Sequence, residues 1–161
     1  MISIKINRNF VFYTLFFTSF FLKSQIISVY KINDLLRRIY NDSDTTYVVN
    51  FWATWCKPCV TELPEFEKLN NDTAIKNTKV LLVSMDFKEE LNKKLKTFLE
   101  KHPYSSEIVL LDEINGNDFI DKISVQWSGA IPATLVTSKN KSINRFFEQK
   151  ITYDFLVNNL K

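Results

Sequence analysis

Apolar residues in this chain fall into two patterns, short continuous runs and stripes recurring every three or four positions. The runs at 47–52, 80–85 and 108–111 read as strands buried on both faces, because a half-exposed strand would alternate apolar with polar residues. Residues 134–137 and 143–147 read as two more strands, separated by a turn at 138–141. The stripe Ile32, Leu35, Leu36, Ile39 and Tyr40 predicts a helix that ends where turn-forming residues occupy 41–46. That helix is expected to cover one edge of the sheet. Further helices are predicted over 57–70, over 91–102 from Leu91, Leu95, Phe98 and Leu99, and briefly around Phe119, Ile120 and Ile123. The last helix carries Tyr153, Leu156, Val157 and Leu160 behind a Thr152 cap. Strands alternating with helices predict an α/β fold, a central sheet flanked by helices on both faces.

The first 24 residues stand apart. Lys5 and Arg8 precede an apolar run from 11 to 22, interrupted only by Thr14, Thr18 and Ser19, and Ser24 offers a small residue before Gln25. This reads as an export signal with cleavage near 24, the alternative being an uncleaved anchor; the run is short of the roughly 20 residues a membrane span needs. The remaining 25–161 suit one domain. Three of the 21 basic residues lie in that first segment, which holds no acid. The other 18 balance 18 acidic residues, so the formal charge of +3 gives no support for nucleic-acid binding. Only two glycines occur in 161 residues, which excludes glycine-rich nucleotide loops.

The candidate chemistry is concentrated at Cys56-Lys57-Pro58-Cys59, which contains both cysteines and sits where a buried strand gives way to a helix. Thiols at i and i+3 on a first helical turn can close a small disulfide, and the helix N-terminus stabilises a thiolate on the first of them. Cys56 is therefore the expected nucleophile and Cys59, one turn deeper, the resolving thiol. Pro58 fits a first turn whose N–H has no intrahelical partner, and Lys57 supplies a cation that favours thiolate. A zinc site would need about four ligands, and beyond these cysteines the chain offers a single histidine, His102. His102 closes an apolar stripe just before Pro103 and reads as a capping or packing residue. Glu62 lies one turn beyond Cys59 on the same helical face, where spacing alone leaves open a solvated carboxylate or a proton acceptor. Pro64 falls inside the same predicted helix, where its missing N–H predicts a kink.

The string from Phe51 to Cys59, followed by Glu62, Pro64 and the segment Gly129-Ala130-Ile131-Pro132-Ala133-Thr134, resembles the thioredoxin superfamily, and within it the extracytoplasmic TlpA/ResA-like oxidoreductases. The resemblance runs from about Ile26 to the C-terminus. It implies a thioredoxin fold and a thiol:disulfide oxidoreductase, acting as a reductant of protein disulfides outside the cytoplasm, in a periplasm for instance. Disulfide-containing proteins would be the substrates and a membrane thiol carrier the electron donor, with cytochrome c maturation as one setting. No cofactor beyond the dithiol is implied. The resemblance further implies a cis bond at Pro132, with Ile131 and Pro132 touching substrate, and gives Glu62 a role in proton transfer to and from Cys59. Asn50 stands where cytosolic thioredoxins carry a buried aspartate, and an amide cannot act as that base. Trp52 and Trp55 are expected to pack around the site, Trp55 also serving as an apolar platform for substrate. Two other readings are a redox-inert peptide-binding module, which would need neither cysteine, and a peroxiredoxin-like peroxidase, whose usual threonine is replaced by Ala53.

Overall fold

In the computed structural model the described residues are 27–41 and 44–160. The expected export signal lies outside them, and none of their helices is long and apolar enough to cross a membrane. The six strands are β1 (Ser28–Tyr30), β2 (Thr46–Trp52), β3 (Thr78–Ser84), β4 (Glu107–Leu111), β5 (Ala133–Ser138) and β6 (Ile143–Phe147). They form one sheet in the order β1-β4-β3-β2-β5-β6. The first four in that order run parallel, whereas β5 pairs antiparallel with β2 and β6 antiparallel with β5. Helices α1 (Ile32–Tyr40), α2 (Lys57–Asn70), α3 (Lys96–Lys101), α4 (Ile120–Ile123) and α5 (Tyr153–Asn158) complete the fold.

Alternation along each strand divides the interior into two packed layers. Val48 and Trp52 of β2, Val80 and Leu82 of β3, and Ile108 and Leu110 of β4 face one layer, with Leu63 and Phe66 of α2 and Leu156 of α5. Tyr47, Val49, Phe51, Leu81, Val83, Val109 and Leu111 face the other, with Ile32, Leu35 and Ile39 of α1 and Ile123 of α4. All seven residues of β2 are buried, the polar Thr46 and Asn50 included, as befits a strand covered on both sides.

Two expectations need correction. The α1 stripe packs on a face of the sheet and not along an edge, since its apolar side chains meet β2, β3 and β4 residues in one cluster. Residues 91–102 do not form one α-helix: a 3-10 turn at Lys88–Glu90 and a π turn at Leu91–Leu95 precede the six-residue α3. The Lys96 N–H donates to the Leu91 carbonyl five residues back, and an apolar spacing of four, three and one does not distinguish that wider turn from an α turn. β1 has no legible period in the sequence, because Ser28 and Val29 are exposed and Tyr30 is partly buried, and these three residues become a strand only by pairing with β4. His102 caps the C-terminus of α3 and lies against Phe98, with ring centroids 4.8 Å apart.

Candidate active site

The site forms where β2 ends beside β3. Cys56 is the N-cap of α2, with Lys57 and Pro58 opening the helix, and its Sγ accepts the Cys59 N–H at 3.3 Å. The two cysteines are joined as a disulfide, with Cα atoms 5.3 Å apart. Cys59 is fully buried, whereas Cys56 keeps 6% of its surface open to solvent. Access thus differs between the two sulfurs in the sense expected for an attacking and a resolving thiol. The preceding turn is held by Asp86, a buried residue just beyond β3. Its carboxylate accepts the Thr54 N–H at 3.1 Å, the Thr54 hydroxyl at 2.6 Å and the Ser84 hydroxyl at 2.7 Å. Asp86 was not among the residues singled out from sequence. The available signal was an acid just past the C-terminal end of a buried parallel strand, next to the strand that leads into the cysteines.

The loop before β5 closes the other side. The Ile131–Pro132 peptide is cis, and the Ile131 carbonyl oxygen lies 3.8 Å from Cys56 Sγ. Ile131 and Pro132 are half-buried, so part of this edge remains accessible beside the disulfide. Gly129 turns the loop with φ of +95°, a conformation L side chains rarely adopt, and a Cβ there would lie 2.9 Å from Ile120. The Trp127 indole N–H donates to the Ala130 carbonyl at 2.8 Å.

Beneath the disulfide, Glu62 is completely buried. Its carboxylate accepts the Asn50 side-chain N–H at 2.8 Å and the Ile151 backbone N–H at 2.7 Å. Burial dominates its titration and pushes the carboxyl up to about 7, although the Ile151 and Asn50 donors and the charge of Lys150 favour ionisation. The solvated-carboxylate reading of Glu62 is thereby corrected: a proton can be gained or lost here near neutral pH, one helical turn from Cys59. The Asn50 amide, which cannot act as a base, donates to the Glu62 carboxylate. Its own Oδ1 and the Trp52 Nε1 are buried and find no hydrogen-bond partner among the described residues.

Trp52 packs fully inside, 5.5 Å from Phe98 between ring centroids. Trp55 departs from the packing expectation and keeps 61% of its surface exposed at the rim. Lys57 and Pro58 are exposed on the first turn of α2. Among the described residues no cluster of three or more histidine, cysteine or acidic side chains could hold a metal ion.

The AhpC/TSA family model matches residues 18–146. The chain is 36% identical over 63 residues to Thioredoxin-like protein YneN of Bacillus subtilis, an alignment covering 39% of this chain and 36% of that protein. It is 28% identical over 109 residues to Thiol-disulfide oxidoreductase ResA of Oceanobacillus iheyensis, covering 68% of this chain and 52% of the relative. The chain thus spans from about a third to about half the length of these curated relatives. Among solved structures, a thioredoxin-related protein from Neisseria meningitidis serogroup B superposes with a TM-score of 0.61 at 22% identity, covering 71% of this chain and 82% of that one. That likeness establishes a thioredoxin-like α/β fold.

Proposed function

The chain belongs to the AhpC/TSA family, and we propose that it is a thiol:disulfide oxidoreductase that reduces protein disulfides outside the cytoplasm through Cys56 and Cys59. The observation that carries this reading is the closed Cys56–Cys59 pair at the N-terminus of α2, with Cys56 Sγ 3.8 Å from the carbonyl of the cis Ile131–Pro132 bond. In the reduced protein the Cys56 thiolate attacks one sulfur of a substrate disulfide and expels the other as a thiolate, leaving a mixed disulfide. The Cys59 sulfur then attacks Cys56, its proton passes to the Glu62 carboxylate, and the substrate leaves as a second thiolate while the Cys56–Cys59 bond closes. Two electrons have moved from protein to substrate. Buried Glu62, held by Asn50 and the Ile151 N–H, is suited to that proton because its carboxyl titrates at about 7.

Trp55 supplies an exposed apolar surface beside the cysteines, and the Ile131 backbone offers hydrogen-bonding groups to an extended substrate segment. Lys57 favours the thiolate, and Pro58 stiffens the turn that carries both sulfurs. Re-reduction is assigned to a membrane thiol carrier, cytochrome c maturation is one setting for the substrates, and residues 1–24 serve as the export signal. Similarity to proteins named as thiol-disulfide oxidoreductases supports the reading. Family membership alone does not separate dithiol exchange from peroxidase chemistry. Ala53 in place of the peroxidase threonine, and a resolving thiol only three residues away, favour exchange.

Equilibration of the Cys56/Cys59 pair against a thiol buffer tests the proposal. A reduction potential near or below about −270 mV, together with catalysed insulin reduction that Cys56→Ser abolishes, is the expected result. A value near about −120 mV would assign the protein as an oxidant, and failure to form the disulfide at any poise would leave only a binding module.

A further inference from the structure

We propose that Glu148 is a positioning residue for the substrate edge, its carboxylate anchoring the loop 128–131 that presents Ile131 beside Cys56; this rests on the dithiol reading above. An edge that recognises an extended peptide through its backbone works only while that backbone is held in place. Ser128, Gly129 and Ala130 are all exposed, so burial does little to hold them. The inner side of the loop is fixed by the Trp127 indole N–H on the Ala130 carbonyl. That indole is itself wedged between Phe51 and Phe146, with ring centroids at 4.7 and 5.7 Å.

Glu148 holds the outer side. It follows the last residue of β6, and the Thr134↔Phe147 register brings it alongside the start of β5, just after Pro132. From there one carboxylate oxygen accepts the Ser128 N–H at 2.7 Å and the other accepts the Ser128 hydroxyl. The same hydroxyl oxygen accepts the Ala130 N–H at 3.4 Å, which extends the anchor two residues toward Ile131. These donors hold the Glu148 carboxyl below the usual carboxylate range, so the ionised form that accepts both bonds is the one present at neutral pH. Three residues further on, the Ile151 N–H is bound by Glu62. The segment 148–151 therefore touches both the substrate loop and the carboxylate beneath the disulfide.

The test is steady-state reduction of insulin by wild type, Glu148→Ala, Glu148→Gln and Ser128→Ala, with the reduction potential of each. Glu148→Ala is expected to raise KM about fivefold while kcat and the potential hold, since charge-assisted hydrogen bonds at an exposed loop are lost and the dithiol is untouched. Glu148→Gln keeps one acceptor for the Ser128 N–H and is expected to regain most of that affinity. Ser128→Ala leaves the end of β6 intact and is expected to raise KM about twofold, a result that holds even if Glu148→Ala folds poorly. Wild-type KM in both Glu148→Ala and Ser128→Ala, with wild type active on insulin, overturns the assignment of Glu148 and leaves the dithiol reading standing. A wild-type protein unable to reduce insulin overturns that reading, and the role of Glu148 with it.

Discussion

Both faces of the central sheet are covered by packed side chains, but they are built from different material. On the α1 and α4 side the layer is apolar, with the Trp127 ring against Phe51, Phe119 and Phe146. On the α2 and α5 side a carboxylate and an amide, Glu62 and Asn50, are buried among Val48, Leu63, Phe66 and both cysteines. Burying a carboxyl group costs free energy unless donors meet it or a proton neutralises it. Both remedies are present, since Glu62 has two donors and still titrates near neutrality. One face is apolar throughout its helix contacts, and the other gives up some stability to hold a buried titratable carboxyl group. β2 joins them, because its alternate residues line opposite layers.

The largest expected effect lies on the chemical face. Cys56→Ser removes turnover altogether, and Cys59→Ser accumulates the Cys56 mixed disulfide, which mass spectrometry of the intact protein would detect as substrate-sized adducts. An adduct carried by Cys59 in a Cys56→Ser protein would reverse the assigned roles. On the apolar face, Leu35→Ala should cost about 2–5 kcal/mol in denaturant unfolding, as Leu35 is fully buried. The Cys56/Cys59 potential should stay at the wild-type value, and a shifted potential would break the division between the faces.

Glu62 gives the next effect. Its carboxyl is at about 7 in the folded protein against an ordinary 4.5, so between those values the folded state keeps a proton that the unfolded state has lost. Stability of the oxidised protein should therefore decline as pH rises from about 4.5 to about 7, by up to about 3 kcal/mol, and change little with this group above that range. Glu62→Gln should flatten this segment of a urea-unfolding series measured against pH. An unchanged slope would mean that Glu62 does not titrate there. The smallest change in stability is expected at the rim: Trp55→Ala, at an exposed position, should stay within about 0.5 kcal/mol of wild type and raise KM for insulin severalfold. A large loss of stability instead would place Trp55 in the core after all.

How much was legible in the sequence followed how local each cause was. β2 was readable because a strand buried on both faces must be apolar nearly throughout, and α5 because Thr152 caps it through the Phe155 N–H. The disulfide was readable because i and i+3 on a first helical turn bring two sulfurs within bonding reach. β1 was not, since its pairing partner β4 lies some 80 residues away and supplies the reason it is a strand. Asp86 escaped for a similar reason. Its role depends on Thr54, 32 residues earlier, which only the β2–β3 pairing brings beside it.

Glu62 marks the boundary between the two kinds of knowledge. By itself the sequence determined that Glu62 shares a helical face with Cys59, because 3.6 residues per turn leaves no other place for it. Whether that carboxylate met water or protein was decided only when β2 brought Asn50, 12 residues before it, and the C-terminal segment brought Ile151, 89 residues after it. A titration is set by the solvent excluded and the donors supplied from all sides of a group, and in this fold those sides come from distant parts of the chain.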